Sequence, residues 1–152
     1  MNKPSGLISS SEKAFIIGKA GEYLTAQPIT VTEKQCQRSA GGRNDFYSEG
    51  DYWWPDPDNP SGPYIRRDGH SNPDNFTYHR EALIRFSRIV GMLTSAWLCS
   101  KEGGYIRAAG EHLKAWFSDP GTRMNPSLNY AQAVHGRETG RGIGIIDTIH
   151  LI

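Results

Sequence analysis

The sequence predicts an all-α chain built of antiparallel helical hairpins with long loops, and three observations carry that prediction. Apolar residues recur three or four positions apart along three separate segments. No run of useful length shows the strict alternation that a half-buried strand requires. Glycines and prolines, 17 and 9 in number, gather between the helical segments and punctuate them.

The elements follow in order. Ser9-x-x-Glu12 has the form of a capping box that opens a first helix. Ala14, Ile17, Gly21 and Leu24 then share a face, flanked by Phe15 and Ala20, until Pro28 stops the helix. Ile29 to Thr32 form a short extended link, and a long loop follows to about Thr77. From His79 to about Lys101 the pattern is amphipathic, with Leu83, Phe86, Val90, Leu93 and Trp97 on one side. Gly103-Gly104 is expected to end this helix. A third runs from about Tyr105 to Phe117 with Ile106, Ala109, Leu113 and Trp116 facing inward. After the turn at Asp119-Pro120-Gly121, a short helical segment is expected around Tyr130–Val134, with Asn129 as its N-cap or as a cleft group. Gly136 to Gly142 breaks it, and Ile143 begins a new apolar helix.

The long loop is the most informative stretch. Residues 41–69 hold three tyrosines, two adjacent tryptophans, three arginines and five aspartates on a backbone rich in Gly and Pro. An irregular loop that carries so many amphipathic side chains is usually a binding surface held by a scaffold elsewhere. Aromatic faces beside Arg and Asp suit an acidic sugar chain, which has flat apolar faces and negative groups.

Composition sets the bounds. At 152 residues the chain fits one domain with a real core. A net charge of +1, with no Lys/Arg run, gives no footprint for nucleic acid. No stretch approaches the roughly 20 apolar residues of a membrane span, so no membrane partner is expected. The N-terminus has no apolar core or small-residue cleavage site, so no signal peptide is visible. Cys36 and Cys99 leave the redox compartment open, and neither sits at zinc-ligand spacing. No cofactor is expected. Gly140-x-Gly142-x-Gly144 lacks the preceding strand of a phosphate loop, and the acids of the long loop lack the calcium-loop order. The apolar stretch IGIIDTIHLI has no cap, and the chain is expected to be the front part of a longer protein, an incomplete domain spanning 1–152.

GGRNDFYSEGDYWWPDP, GPYIRRDG, WFSDPGTRMNPSLNYAQ and GRGIGIIDT occur in this order, and together they resemble the N-terminal half of the alginate lyase family of polysaccharide lyases. The likeness runs from about Phe15 to the end. It implies a partial (α/α) toroid, helical hairpins around a central cleft, that cuts uronate polysaccharides by β-elimination, in a parent protein that is periplasmic or secreted. The expected partner is an acidic polysaccharide or oligosaccharide. In the family, proton transfer falls mainly to an Asn-His pair and a Tyr, usually with an Arg nearby. This sequence contains no Asn-His dipeptide, so the isolated chain is expected to carry cleft wall rather than the catalytic core.

Within that frame, Tyr47, Ser48, Tyr52, Trp53 and Trp54 are candidates for a lid or stacking platform, with local packing as the alternative. Arg66 and Arg67 either fork a uronate carboxylate or pair with Asp68, Asp56 or Asp58, and Arg43 with Asp45 has the same ambiguity. Asn129, Tyr130 and Gln132 offer neutral hydrogen-bonding groups, His135 a polar one, and Arg141 a cation flanked by glycines that either meets an anion or caps a helix. His70, His79, His112 and His150 have weaker claims. Two other functions are carried: a glycoside hydrolase on a similar toroid using two carboxylates such as Asp45 and Asp51, and a non-catalytic carbohydrate-binding remnant.

Overall fold

The computed structural model describes residues 8–151; residues 1–7, with the start of the segment searched for a leader, and Ile152 lie outside the described part. The chain is mostly helical, with α1 Ser10–Gly21, α2 Tyr78–Ser100 and α3 Gly103–Phe117. Two small two-stranded sheets accompany the helices. β1 Tyr47–Glu49 pairs in parallel with β4 Tyr130–Ala133, and β2 Trp53–Trp54 pairs antiparallel with β3 Ile65–Arg66. A 3-10 helix, Gly142–Leu151, follows β4.

The capping box is present. Ser9 Oγ accepts from Glu12 N–H at 3.2 Å and Ser9 N–H donates to Glu12 Oε2 at 2.6 Å. Ser9→Ala therefore removes one of these bonds, and α1 is expected to lose about 1 kcal/mol. Faster amide exchange confined to the first turn of α1 checks this. The helix ends at Gly21, earlier than the Pro28 stop. Its buried side is Ala20 with Ile16, Ile17 and Tyr23, while Leu24 and Phe15 face outward.

α2 lies between α1 and α3 and supplies residues to both apolar clusters. Leu83, Phe86, Val31, Phe46, Trp116 and Ala131 form one, and Ile89, Leu93, Ala96, Ala20, Tyr105 and Ala109 the other. Lys101, in a left-handed conformation at φ 61°, closes α2, and Gly103-Gly104 open α3 instead of ending its predecessor. By length and a mean hydropathy of 1.3, α2 also reaches the range of a membrane span. His79, Arg80, Arg85 and Arg88 interrupt it, and its buried residues face α1 and α3, the pattern of a core helix. The α3 stripe is rotated from expectation. Tyr105, Ala109, His112 and Trp116 are buried, while Ile106 and Leu113 stay exposed.

The segment expected to be helical around Tyr130–Val134 is strand β4. Five residues hold too little periodicity to separate the two forms, and the unpaired edge of β1, remote in sequence, decides the matter. The pairing is irregular: Tyr47 faces Tyr130 and Glu49 faces Ala133, so β4 has one residue more than β1. This is a bulge. Gln132 absorbs it at φ 55°. Asn129 is accordingly not a helix cap; it is exposed at the entry to β4, its N–H donating to Ser127 Oγ.

Candidate functional site

A cavity of about 500 Å³ opens where the β2–β3 hairpin, α2, β4 and the 3-10 helix meet. Trp53 and Tyr52 line it from the hairpin side, with Arg66, Arg80, Gln132 and Arg141 around them and Asp51 and Asp147 below. Its remaining wall is Ile143, Ile146, Ile149 and His150.

The charges are arranged unequally. Arg80, on the first turns of α2, donates to both oxygens of Asp51 at 2.8 and 3.2 Å, and its Nη1 lies 3.7 Å from Asp147 Oδ1. Hydrogen bonding to Asp51, opposed by burial, holds the Arg80 guanidinium above its ordinary range. Both carboxylates are thus compensated by one cation. Arg141 is differently held: its Nε–H donates to the Gln132 carbonyl at 2.6 Å and its Nη2 to Gln132 Oε1 at 3.2 Å. It carries no carboxylate partner among the described residues. Its Cζ lies 6.0 Å from the centre of the Trp53 ring, and Arg137 Cζ lies 5.5 Å from it. Gly50 makes this approach feasible, since a Cβ there would lie 2.6 Å from Arg141 Nη2 and 2.7 Å from Trp53 Cδ1.

The structure therefore gathers Trp53, Arg66, Gln132 and Arg141 at one cavity. Arg66 is tied to Asp68 in an exposed pair, Nε to Oδ1 at 2.5 Å. Trp54 and Arg67 lie together elsewhere on the hairpin, the guanidinium 5.4 Å from the ring, with Trp54 Nε1–H bonded to the His70 carbonyl. Tyr47 is buried; desolvation, with Glu49 beside it, pushes its phenol well above the ordinary value, and its hydroxyl donates to Glu49 Oε1. Ser48 is buried behind the cavity and accepts from Gln132 N–H at 2.8 Å. Tyr130 packs over Gly41. His135 sits in a separate hollow, its ring 5.1 Å from that of Tyr64. Asn129 lines a smaller hollow that shares Arg141 with the main cavity. Asp45 is away from the cavity, accepting from Gly42 N–H and Asn125 Nδ2, so it does not face Asp51 across it. Among the described residues no group of His, Cys, Asp and Glu is arranged to hold a metal, and Cys36 and Cys99 are free.

Sequence reasoning missed Arg80 and Asp147. Arg80 looked like part of the polar face of a helix. Asp147 had a legible signal, a lone acid within a run of isoleucines.

No curated protein gives a significant match. The crystal structure of an alginate lyase from Bacteroides ovatus is similar, with a TM-score of 0.82 and 35% identity over 95% of this chain. The chain spans 39% of that protein's chain. The alginate lyase family model matches residues 30–152, a span that takes in every group lining the cavity, and the chain belongs to the alginate lyase family.

Proposed function

We propose that the chain forms one wall of the substrate cleft of a polysaccharide lyase that cleaves alginate-like, uronate-containing chains by β-elimination. The wall belongs to a partial (α/α) toroid, in a periplasmic or secreted enzyme. The observation that carries the reading is the placement of Arg141 in the cavity against Trp53, hydrogen-bonded only to neutral groups.

β-Elimination removes the proton at C5 of a uronate, forms the C4–C5 double bond and expels the glycosidic oxygen, which takes up a proton. The C5 proton becomes acidic only when the adjoining carboxylate is neutralised, so a cation aimed at that carboxylate lowers the barrier. Arg141 fits this role with Gln132 behind it. Arg66, exposed at the mouth, reaches a second carboxylate if it releases Asp68. Trp53 offers the part of its ring that lines the cavity to a pyranose ring. Asn129 extends the polar wall into the adjoining hollow, and Trp54, Arg67, Tyr130 and His135 serve a neighbouring part of the chain or pack locally. Asp51 and Asp147 are engaged by Arg80 and repel a polyanion less than free acids would.

The test uses the protein as its gene encodes it, incubated with polymannuronate, polyguluronate and polygalacturonate. Ultraviolet-absorbing unsaturated ends are expected; new reducing ends without them would overturn elimination in favour of hydrolysis. Arg141→Ala is expected to weaken oligouronate binding by about 1.5–3 kcal/mol, the loss of a hydrogen-bonded charge pair, as read by isothermal titration.

A further inference from the structure

We propose that Asp147 is a positioning residue, whose buried carboxylate orients the Gln132 side chain and through it fixes Arg141 in the cavity. The inference rests on the reading of Arg141 as a uronate-binding group, but its first test does not.

The burial pattern of the 3-10 helix is the reverse of what partitioning gives. Asp147 is 2% exposed while Ile145 and Ile146, beside it, are 66% and 49% exposed. Burying a carboxylate is unfavourable unless it is paired and hydrogen-bonded, so a compensating network must hold it. Both of its oxygens find donors. Asp147 Oδ2 accepts the Ser48 hydroxyl, and Gln132 Nε2 donates to Oδ1 at 3.0 Å and Oδ2 at 3.3 Å. Arg80 Nη1 stands 3.7 Å from Oδ1. Close packing brings the groups together: a Cβ at Gly144 would lie 2.6 Å from Ala131 Cβ, so the helix rests directly on β4.

The polarity of the network has one direction. An ionised carboxylate only accepts, which turns the Gln132 amide NH₂ toward Asp147 and its Oε1 toward Arg141. The opposite orientation would set NH₂ against a guanidinium. Gln132 also holds a left-handed backbone at φ 55°, a conformation unfavourable for a residue with a Cβ. Its N–H bond to Ser48, whose hydroxyl in turn binds Asp147, stabilises that conformation. Strain maintained by a buried polar network beside a cavity marks a functional constraint.

The experiment compares the wild-type chain, Asp147→Asn, and the double variant Asp147→Asn with Gln132→Glu. The double variant restores donor-to-acceptor polarity with the charge moved one residue along the network. The first readout is the nuclear magnetic resonance signal of the Arg141 guanidinium, assigned by its loss in Arg141→Lys, with no sugar present. Asp147→Asn is expected to speed exchange of these protons about tenfold or more, the loss of roughly 1.4 kcal/mol of ordering, and the double variant to restore their protection. Unchanged protection in Asp147→Asn overturns the proposal. Should that variant fail to fold, the double variant decides: a folded protein with an ordered Arg141 supports the proposal, and an unfolded protein or a free Arg141 refutes it. Oligouronate titration is the second readout, expected to weaken in Asp147→Asn and to stay weak in the double variant, where the acid introduced at position 132 pairs with Arg141. Absent sugar binding by the wild type, with Arg141 responding as expected, would refute the uronate reading while leaving the positioning role intact.

Discussion

Glu49→Gln is expected to destabilise the chain by about 3 kcal/mol, near the low end for breaking a buried ion pair. Glu49 is 3% exposed and accepts Arg38 Nε–H and Nη2–H at 2.6 Å each, Phe76 N–H at 2.7 Å and the Tyr47 hydroxyl at 3.0 Å. A glutamine keeps one acceptor and places an NH₂ where two donors already point. The Arg38 side chain retains 35% exposure, so water relieves part of its lost pairing. Urea unfolding measures the change; an unaltered slope with a lower midpoint is the expected result. Burial by itself would raise the Glu49 carboxyl, but Arg38, the Phe76 amide and Tyr47 outweigh it and hold it below 4.5. A depressed acid contributes stability that is present above its unfolded value and is lost as pH falls through the folded one. The wild type should thus lose stability below about pH 4.5, and Glu49→Gln should flatten that part of the curve.

His79→Phe is the second large effect, expected at about 2–4 kcal/mol from two buried backbone groups left unpaired. His79 is 1% exposed; its Nδ1 accepts Tyr47 N–H at 3.0 Å and its Nε2–H donates to the Lys34 carbonyl at 2.7 Å. These partners require the neutral ring with the proton on Nε2. Desolvation depresses its pKa below 6.5, against the opposing pull of the Lys34 and Val31 backbone. A depressed histidine is neutral in the fold, so the stability it brings is complete above its unfolded value and declines as pH falls below about 6.5. Acidification should therefore weaken the wild type before the carboxylates protonate. His79→Phe should lack this early decline, and melting temperatures across pH would check it. Phenylalanine preserves the ring beside Phe76, now 4.8 Å away edge-on, so the loss reports hydrogen bonding more than volume.

Both residues anchor β1, and β1 sets the back of the cavity through Ser48. Glu49 went unmarked in the sequence, and His79 had only a weak claim among the histidines. Glu49 lay in a loop crowded with acids, and His79 at the first turn of a helix. The cavity itself was partly legible: Trp53, Arg66, Gln132 and Arg141 come together, whereas His135 and Trp54 are placed elsewhere. A loop sequence shows which side chains are available to a ligand but not the direction in which each points.

What the chain alone determined is what local physics governs. The 3.6-residue recurrence of α2 and α3, the Ser9–Glu12 capping box and the ordered family motifs each depend on residues near one another in sequence. The tertiary structure decided the rest. β4 became a strand because β1 offered an edge some eighty positions earlier, as the Tyr47–Tyr130 pairing shows, and no four-residue segment encodes its own partner. Asp147, Glu49 and His79 are buried because donors and acceptors from distant segments converge on them. Desolvation is unfavourable for such groups one at a time, and only the assembled network reverses the sign.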